Sequence, residues 1–383
     1  PSRAPHPVPI DPVLHDPGLD AVRAALLAAE RVVLTTHVRP DGDAVGCEIG
    51  AALFLQKLGK QVQVFNADVE PRALGWLLDP YRGGLVRKYE PGSLEHAEAF
   101  ARADAVLVVD TNAWHRLGTT AAPAKGTMGK KLLIDHHPDP EKGFDAACSR
   151  TDAAAAGELI YSLIAGHDPE LIDEPIATAL YAAIMTDTGS FRYAATTPRT
   201  HAVVADLLAR GDIRPEPIHV AIHDGRSRGA LRLLARSLNT IATHYGGRLA
   251  TMYVDQRMLR ETETFSDEAE GLVQYALSLD GVKAAVILLE LASGVKASFR
   301  SKGDCPVNGW AGKFGGGGHA NASGAFLEKQ TLAGALKRVV DEAPPHIVLD
   351  PAAAAETDAD RALSGDERDL LAAFQGSLER RKR

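Results

Sequence analysis

The chain has 383 residues, 45% of them hydrophobic, which is enough for two ordinary buried cores rather than one. A formal net charge of −8 excludes a general nucleic-acid-coating protein, while leaving room for a small phosphate-bearing ligand held by a local group of cations. Three scattered cysteines, Cys47, Cys148 and Cys305, with no CxxC pair, exclude a disulfide framework and a structural zinc site.

Residues 1–18 form an N-terminal extension, Pro-rich up to Asp16 and without an apolar signal core. No apolar run approaches the roughly 20 residues that a membrane span needs, so a cytoplasmic protein without a membrane partner is expected. Leu19 to Glu30 carries apolar residues at helical spacing. Val32-Val33-Leu34 then reads as a buried parallel strand. It runs into His37-Val38-Arg39-Pro40-Asp41-Gly42-Asp43, a turn holding one imidazole and two carboxylates. A helix is expected from Ala44 to Leu58, closed by Gly59, with Asp43 as a candidate N-cap. Gln61 to Asn66 alternates with period two and completes a βαβ unit.

Two further apolar strands follow. Ala105 to Val109 ends on Asp110, and Lys131 to Ile134 ends on Asp135-His136-His137 before Pro138. Three strands thus end in metal-ligand residue types at the edge where open α/β sheets bind their ligands. Helices are expected over 153–165, 175–185 and 200–210, the second leading into a turn that begins at Asp187.

The stretch 211–230, with Pro215 and Pro217, reads as a linker between domains. Beyond it come helices over 231–243 and 265–279 and strands over 248–254, 284–291 and 295–300, so the second domain is also α/β. Gly315-Gly316-Gly317-Gly318-His319 can present a row of backbone amides to an anion, flanked by Trp310 and Phe314. It is neither a Walker loop nor a dinucleotide fingerprint. Residues 344–383 read as a tail, helical and solvated towards Arg383.

Taken in order, His37-x-x-Pro40-Asp41-x-Asp43, Asp110, Asp135-His136-His137 and Asp187 resemble the four motifs of the DHH phosphoesterases. The Gly315–His319 segment resembles the DHHA1 domain that follows them. The resemblance covers roughly residues 19 to 340, and the absence of membrane or sensory segments suits the stand-alone oligoribonucleases, or nano-RNA nucleases, of that family. It implies a mostly parallel-sheet DHH domain over 19–210 and a smaller α/β DHHA1 domain over 231–343.

It also implies a site for two Mn²⁺ ions, with Mg²⁺ as a substitute. His37, Asp41 and Asp110 would hold one ion, and Asp43, Asp110, His136 and Asp187 the other, with Asp110 as the bridge. Water would attack phosphorus in line, without a side-chain nucleophile. Asp135 would orient an imidazole, and His137 would face the scissile phosphate. Arg300, His319 and the backbone at Gly316, Gly317 and Gly318 would hold the rest of the substrate, with Arg116 as a further phosphate contact. Cys47, where relatives carry a small hydroxyl residue, raises redox sensitivity.

The expected activity is hydrolysis of short RNA to 5′-mononucleotides, with 3′-phosphoadenosine 5′-phosphate as a second substrate, by a homodimer. The competing readings are a cyclic-dinucleotide or pApA phosphodiesterase, a pyrophosphatase, and a non-catalytic nucleotide-binding module.

Overall fold

The computed structural model describes residues 10–347. The readings of residues 1–9 and of the tail beyond Ile347 lie outside the described residues. The chain divides into two units between Gly225 and Arg226.

The short apolar runs of the first unit have no polar face, so as strands they must be covered on both sides. They form β1 (Arg31–Thr35), β2 (Gln61–Asn66), β3 (Val86–Lys88), β4 (Ala105–Val109), β5 (Lys130–Asp135) and β6 (Ala146–Ser149). The six pair in the order β3-β2-β1-β4-β5-β6, all parallel. The edge strands β3 and β6 are short and polar at one end, and the sequence pattern did not reveal them.

Side chains alternate between two cores. Leu34, Leu107 and Ile134 join one core with helices α1 (Pro17–Ala28), α2 (Gly42–Lys57), α6 (Ala156–Ala165), α7 (Glu174–Asp187) and α8 (Pro198–Gly211). Val33, Val106 and Leu133 join the other with Phe100, Ala124 and Trp114, beside α4 (Leu94–Arg102) and α5 (Ala121–Gly126). A one-turn helix, α3 (Gly75–Leu78), follows β2. Strand order reverses between β1 and β4, so the crevice at their C-terminal ends is the place for a ligand.

The pairing of α2 with α7 depends on small residues at every fourth position. A Cβ on Gly42 would lie 2.3 Å from Thr186 Oγ1, one on Gly46 2.3 Å from the Ala179 carbonyl, and one on Gly50 2.8 Å from Leu180 Cδ2. These three glycines let the helices touch backbone to side chain along two turns. The stretch read as a linker is itself partly helical, with α9 (Pro215–His219) followed by a π-turn over Val220–Asp224.

The second unit has a mixed sheet: β7 (Ala242–His244), β8 (Leu249–Val254), β9 (Ala284–Leu291), β10 (Gly294–Ser301), β11 (Gly317–His319) and β12 (Ala322–Glu328), ordered β11-β12-β10-β9-β8-β7. Only β8 and β9 are parallel. One face is covered by α13 (Asn308–Gly312) and α14 (Leu332–Asp341) around Trp310 and Phe299. The other packs against α10 (Arg228–Leu238), α11 (Gln256–Thr262) and α12 (Val273–Leu277).

Two expected helices differ. The one over 231–243 ends at Leu238, and its last residues become β7. The one over 265–279 breaks into a 3₁₀ turn (Ser266–Ala269) and α12, because Gly271 adopts φ +78° between them. No helix among the described residues is long and apolar enough to cross a membrane.

Candidate metal centre

Each strand of the switch point delivers its polar residue just past its last ladder bond. His37 follows β1, Asp110 follows β4, and His136 follows β5. The Thr36 hydroxyl donates to the Val109 carbonyl at 2.8 Å and ties the first two strand ends together. Asp110 itself adopts φ +55°, a left-handed conformation that is strained for a residue with a side chain.

Asp41, rather than Asp43, caps α2. Its Oδ1 accepts from the amides of Asp43 and Ala44, leaving Oδ2 facing His37 Nε2 at 4.0 Å. Asp43 sits inside the helix, fully covered. Its Oδ2 accepts from the Ala156 amide at 2.6 Å and its Oδ1 from the Gly157 amide at 2.9 Å. Ala155, at the start of α6, has no capping side chain, so Asp43 caps that helix from outside. Asp187 is the last residue of α7, not the first of the turn after it. The glycine-mediated contact of α2 with α7 is what brings Asp187 to the same place.

Three overlapping ligand groups result, His37–Asp41–Asp110, Asp43–His136–Asp187 and Asp110–His136–His137; the first two contain all six of the expected ligands. Asp110 faces both: its Oδ2 lies 3.4 Å from His37 Nε2, and its Oδ1 lies 3.5 Å from His136 Nε2. His136 Nε2 is also 3.5 Å from Asp187 Oδ2 and 3.8 Å from Asp43 Oδ2. The other ring nitrogens are engaged by backbone. His37 Nδ1 meets the Val38 carbonyl at 2.9 Å, and His136 Nδ1 the Ala153 carbonyl at 3.3 Å. Donation by Nδ1–H to these carbonyls leaves each Nε2 lone pair aimed into the site.

Burial and the crowding of carboxylates around two imidazoles shift the proton affinities of the cluster. Burial pushes Asp43 well above the usual carboxylate range, and Asp110 and Asp187 push it further. Asp187 rises to about 7, through burial and the charges of Asp41 and Asp110 against the pull of His136. Burial lowers the proton affinity of His37, but hydrogen bonding to Asp110 and the charge of Asp41 outweigh it and raise the pKa to about 9. His136 rises in the same way, chiefly through Asp110. Asp110 alone is held low: burial would raise it, but the two imidazoles overcome that. Asp110 Oδ1 is buried and accepts no hydrogen bond of normal geometry. Imidazole nitrogens and carboxylate oxygens in this arrangement fit divalent cations.

Around the ligands, His137 Nδ1 meets Asp135 Oδ1 at 2.8 Å, and its backbone amide donates to Asp135 Oδ2 at 2.9 Å. Asp135 is fully buried, so it fixes His137 rather than His136. Asn112, which the motif reading passed over, donates from Nδ2 to the carbonyls of His137 and Pro138. It ties the loop after β4 to the loop after β5.

The Arg116 carbonyl accepts from the Val38 amide at 2.7 Å, and its positive charge acts on His37. Cys47 is buried, and its thiol donates to Asp43 Oδ1 at 3.4 Å. Burial and the neighbouring Asp43 push that thiol well above its usual range, so it carries no reactive thiolate.

In the second unit, Arg300 lies on β10, half-buried, with one guanidinium nitrogen donating to the Phe299 carbonyl at 2.9 Å. Register places Arg300 opposite Ala322 and Ala322 opposite His319. The backbones at 300 and 319 therefore stand in one row, two strands apart, or about 9–10 Å.

The glycine run is more structured than a free loop. The Gly315 and Gly316 amides donate to the Gly312 and Ala311 carbonyls and finish α13, while Gly317 and Gly318 belong to β11. A Cβ on Gly316 would lie 2.1 Å from the Gly324 carbonyl, and Gly318 has φ +140°. Close packing of the hairpin accounts for these two glycines.

The chain matches the DHH family, N-terminal domain, over residues 31–184 and the DHHA1 domain over residues 246–343. It is 32% identical over 311 residues to the bifunctional oligoribonuclease and PAP phosphatase NrnA of Thermus thermophilus, covering 81% of this chain and 88% of that protein. Over 324 residues it is 26% identical to the cyclic-di-AMP phosphodiesterase GdpP of Geobacillus thermodenitrificans, covering 82% of this chain and 47% of the relative. A solved structure, an exopolyphosphatase-related protein from Bacteroides fragilis, is similar with a TM-score of 0.80 at 27% identity, over 86% of this chain and 96% of that one. The two domains, in the order the motifs required, and the similarity to a relative over most of both chains make this chain a member of the DHH–DHHA1 family, a metal-dependent phosphoesterase.

Proposed function

We propose that the protein hydrolyses short RNA oligonucleotides to 5′-mononucleotides and removes the 3′-phosphate of 3′-phosphoadenosine 5′-phosphate. The observation that carries this reading is Asp110 standing between the two ligand groups, with one carboxylate oxygen turned towards His37 and the other towards His136. His37, Asp41 and Asp110 would hold one cation, and Asp43, Asp110, His136 and Asp187 the other. Mn²⁺ suits this mixture of imidazole and carboxylate, with Mg²⁺ as the weaker substitute. When bound, a pair of divalent cations supplies an activated water and neutralises charge on the phosphoryl oxygens.

The chain's own residues do the rest. Backbone carbonyls fix the tautomers of His37 and His136. The Ala156 and Gly157 amides hold Asp43 in place. Asp135 accepts from His137 Nδ1–H, so Nε2 is the nitrogen that, in the imidazolium, can donate to a phosphoryl or leaving-group oxygen. Arg116 is a further phosphate contact. Arg300 in the second unit binds a substrate phosphate through its guanidinium, with His319 and the backbone at Gly317 and Gly318 as further contacts; the Gly316 amide is taken by the Ala311 carbonyl.

The similarity to a cyclic-di-AMP phosphodiesterase over most of this chain favours a second reading, in which pApA or cyclic dinucleotides are the main substrates. Family resemblance extends the proposal to a homodimer working in the cytoplasm. Initial rates with Mn²⁺ on a dinucleotide, a five-nucleotide and a twenty-nucleotide RNA, pApA, cyclic di-AMP and 3′-phosphoadenosine 5′-phosphate test it. The expected order places the two shortest RNAs first, with activity lost on chelation. Fast turnover of cyclic di-AMP with inert short RNA would replace this reading by the second.

A further inference from the structure

A shallow pocket of about 370 Å³ opens beside Trp114 in the first unit, walled by Lys125, Lys131, Glu141, Lys142 and Gly143. None of the three lysines makes an ion pair among the described residues; neighbouring Lys130 is the one that reaches Asp145. The single carboxylate is occupied. Glu141 Oε2 accepts from the Trp114 amide at 3.3 Å, and Oε1 lies 3.4 Å from His115 Nδ1. In a chain of net charge −8, three lysines against the one carboxylate of Glu141 give this lining a local excess of positive charge.

The floor is rigid. The Trp114 ring stacks on Phe144 with centroids 4.3 Å apart, its Nε1 donates to the Lys142 carbonyl at 3.0 Å, and Lys125 Nζ lies 5.4 Å over it. Trp114 is only 4% exposed, so it offers no open face for a base. Lysines without an aromatic platform recognise phosphate and not sequence.

Trp114 and Glu141 lie on segments that follow ligands, while Lys131 stands near the start of β5, five residues before His136, or about 16 Å along the strand. Trp114 follows Asp110 by four residues, so their Cα atoms are at most about 14 Å apart. The Glu141 amide donates to the Asn112 carbonyl at 3.0 Å and joins the two segments into one rim.

We propose that this pocket is a phosphate subsite for the backbone of single-stranded RNA, engaged by nucleotides beyond the one at the metal centre. It rests on the oligonucleotide reading above, and it predicts a preference for substrates longer than a dinucleotide that is indifferent to base sequence.

The test is the double variant Lys125→Glu/Lys142→Glu, both positions being exposed. Anisotropy of a labelled five-nucleotide RNA, with chelator present so that nothing is cleaved, measures binding apart from catalysis. The variant is expected to bind about tenfold more weakly, and the slope of log affinity against log salt to flatten by about 1.4, the value for two phosphate contacts on a single strand. With Mn²⁺, the ratio of kcat/KM on the five-nucleotide RNA to that on the dinucleotide should fall by a similar factor. Unchanged affinity and slope, no binding by the parent protein, or equal losses on both RNAs would overturn the subsite. If the parent protein binds RNA through these lysines yet hydrolyses none, the subsite stands and the oligonucleotide hydrolase reading fails.

Discussion

The two units place their chemistry by different means. In the first, the candidate ligands sit at or near the ends of parallel strands and helices, and backbone groups hold His37, Asp41, Asp43 and His136 from behind. In the second, Arg300 lies within β10, level with the Gly317–His319 strand of a tight hairpin. Strand ends at a switch point converge on one spot, so they can crowd four carboxylates and two imidazoles together. Positions along an antiparallel ladder stay about 4.8 Å apart, which suits contact with an extended ligand. The difference predicts that changes in the first unit act on kcat and cation binding, and changes in the second on KM.

The largest effect should come from Asp110→Ala, which removes the oxygen facing each ligand group. Mn²⁺-dependent hydrolysis should fall by well over about a hundredfold, beyond the cost of losing a residue that only supports a ligand. The stabilisation by excess Mn²⁺, about 2.7 kcal/mol at a hundredfold excess over Kd, should shrink with it in a thermal melt. Retained hydrolysis would break the two-cation arrangement.

Next is Gly46→Val. Its Cβ would meet the Ala179 carbonyl, so overpacking of α2 against α7 should cost about 3 kcal/mol or more and lower Tm by about 6–12 °C. Cation affinity should fall too, since Asp43 and Asp187 ride on those helices; a stable variant with weakened Mn²⁺ binding would sharpen the case that this contact builds the site.

Asp135→Asn keeps an acceptor for His137 and removes the charge. A drop in kcat of about tenfold at constant KM is expected, and an unchanged kcat would remove His137 from the chemistry. Smallest is Arg300→Ala, expected to raise KM on a dinucleotide by about tenfold, the value of one charge-assisted hydrogen bond, with kcat little altered. A fall in kcat alone would erase the contrast between the units.

Much of this was legible in the chain itself. His37, Asp41, Asp43, Asp110, His136 and Asp187 stand next to apolar runs or helix ends whose hydrophobic period announces them, and their order along the chain matches a family. A parallel strand buried on both faces needs a continuous apolar run, so such strands are visible in sequence. Edge strands β3 and β6, buried on fewer sides, carry no such mark. The break at Gly271 and the shift from helix to strand after Leu238 were lost because apolar residues at mixed spacing satisfy either period.

Local chemistry in the sequence therefore determined which residues could bind a cation and which strands would carry them. Tertiary structure decided how they meet. Asp41 takes the cap of α2 and Asp43 the amides of α6, a choice the sequence of the turn leaves open, because the second partner lies more than a hundred residues away. Asp135 serves His137 because the imidazole of His136 already meets the Ala153 carbonyl. The glycines at 42, 46 and 50 are equally spaced in the sequence, but their reason is a neighbouring helix whose carbonyls and methyls leave no room for a Cβ.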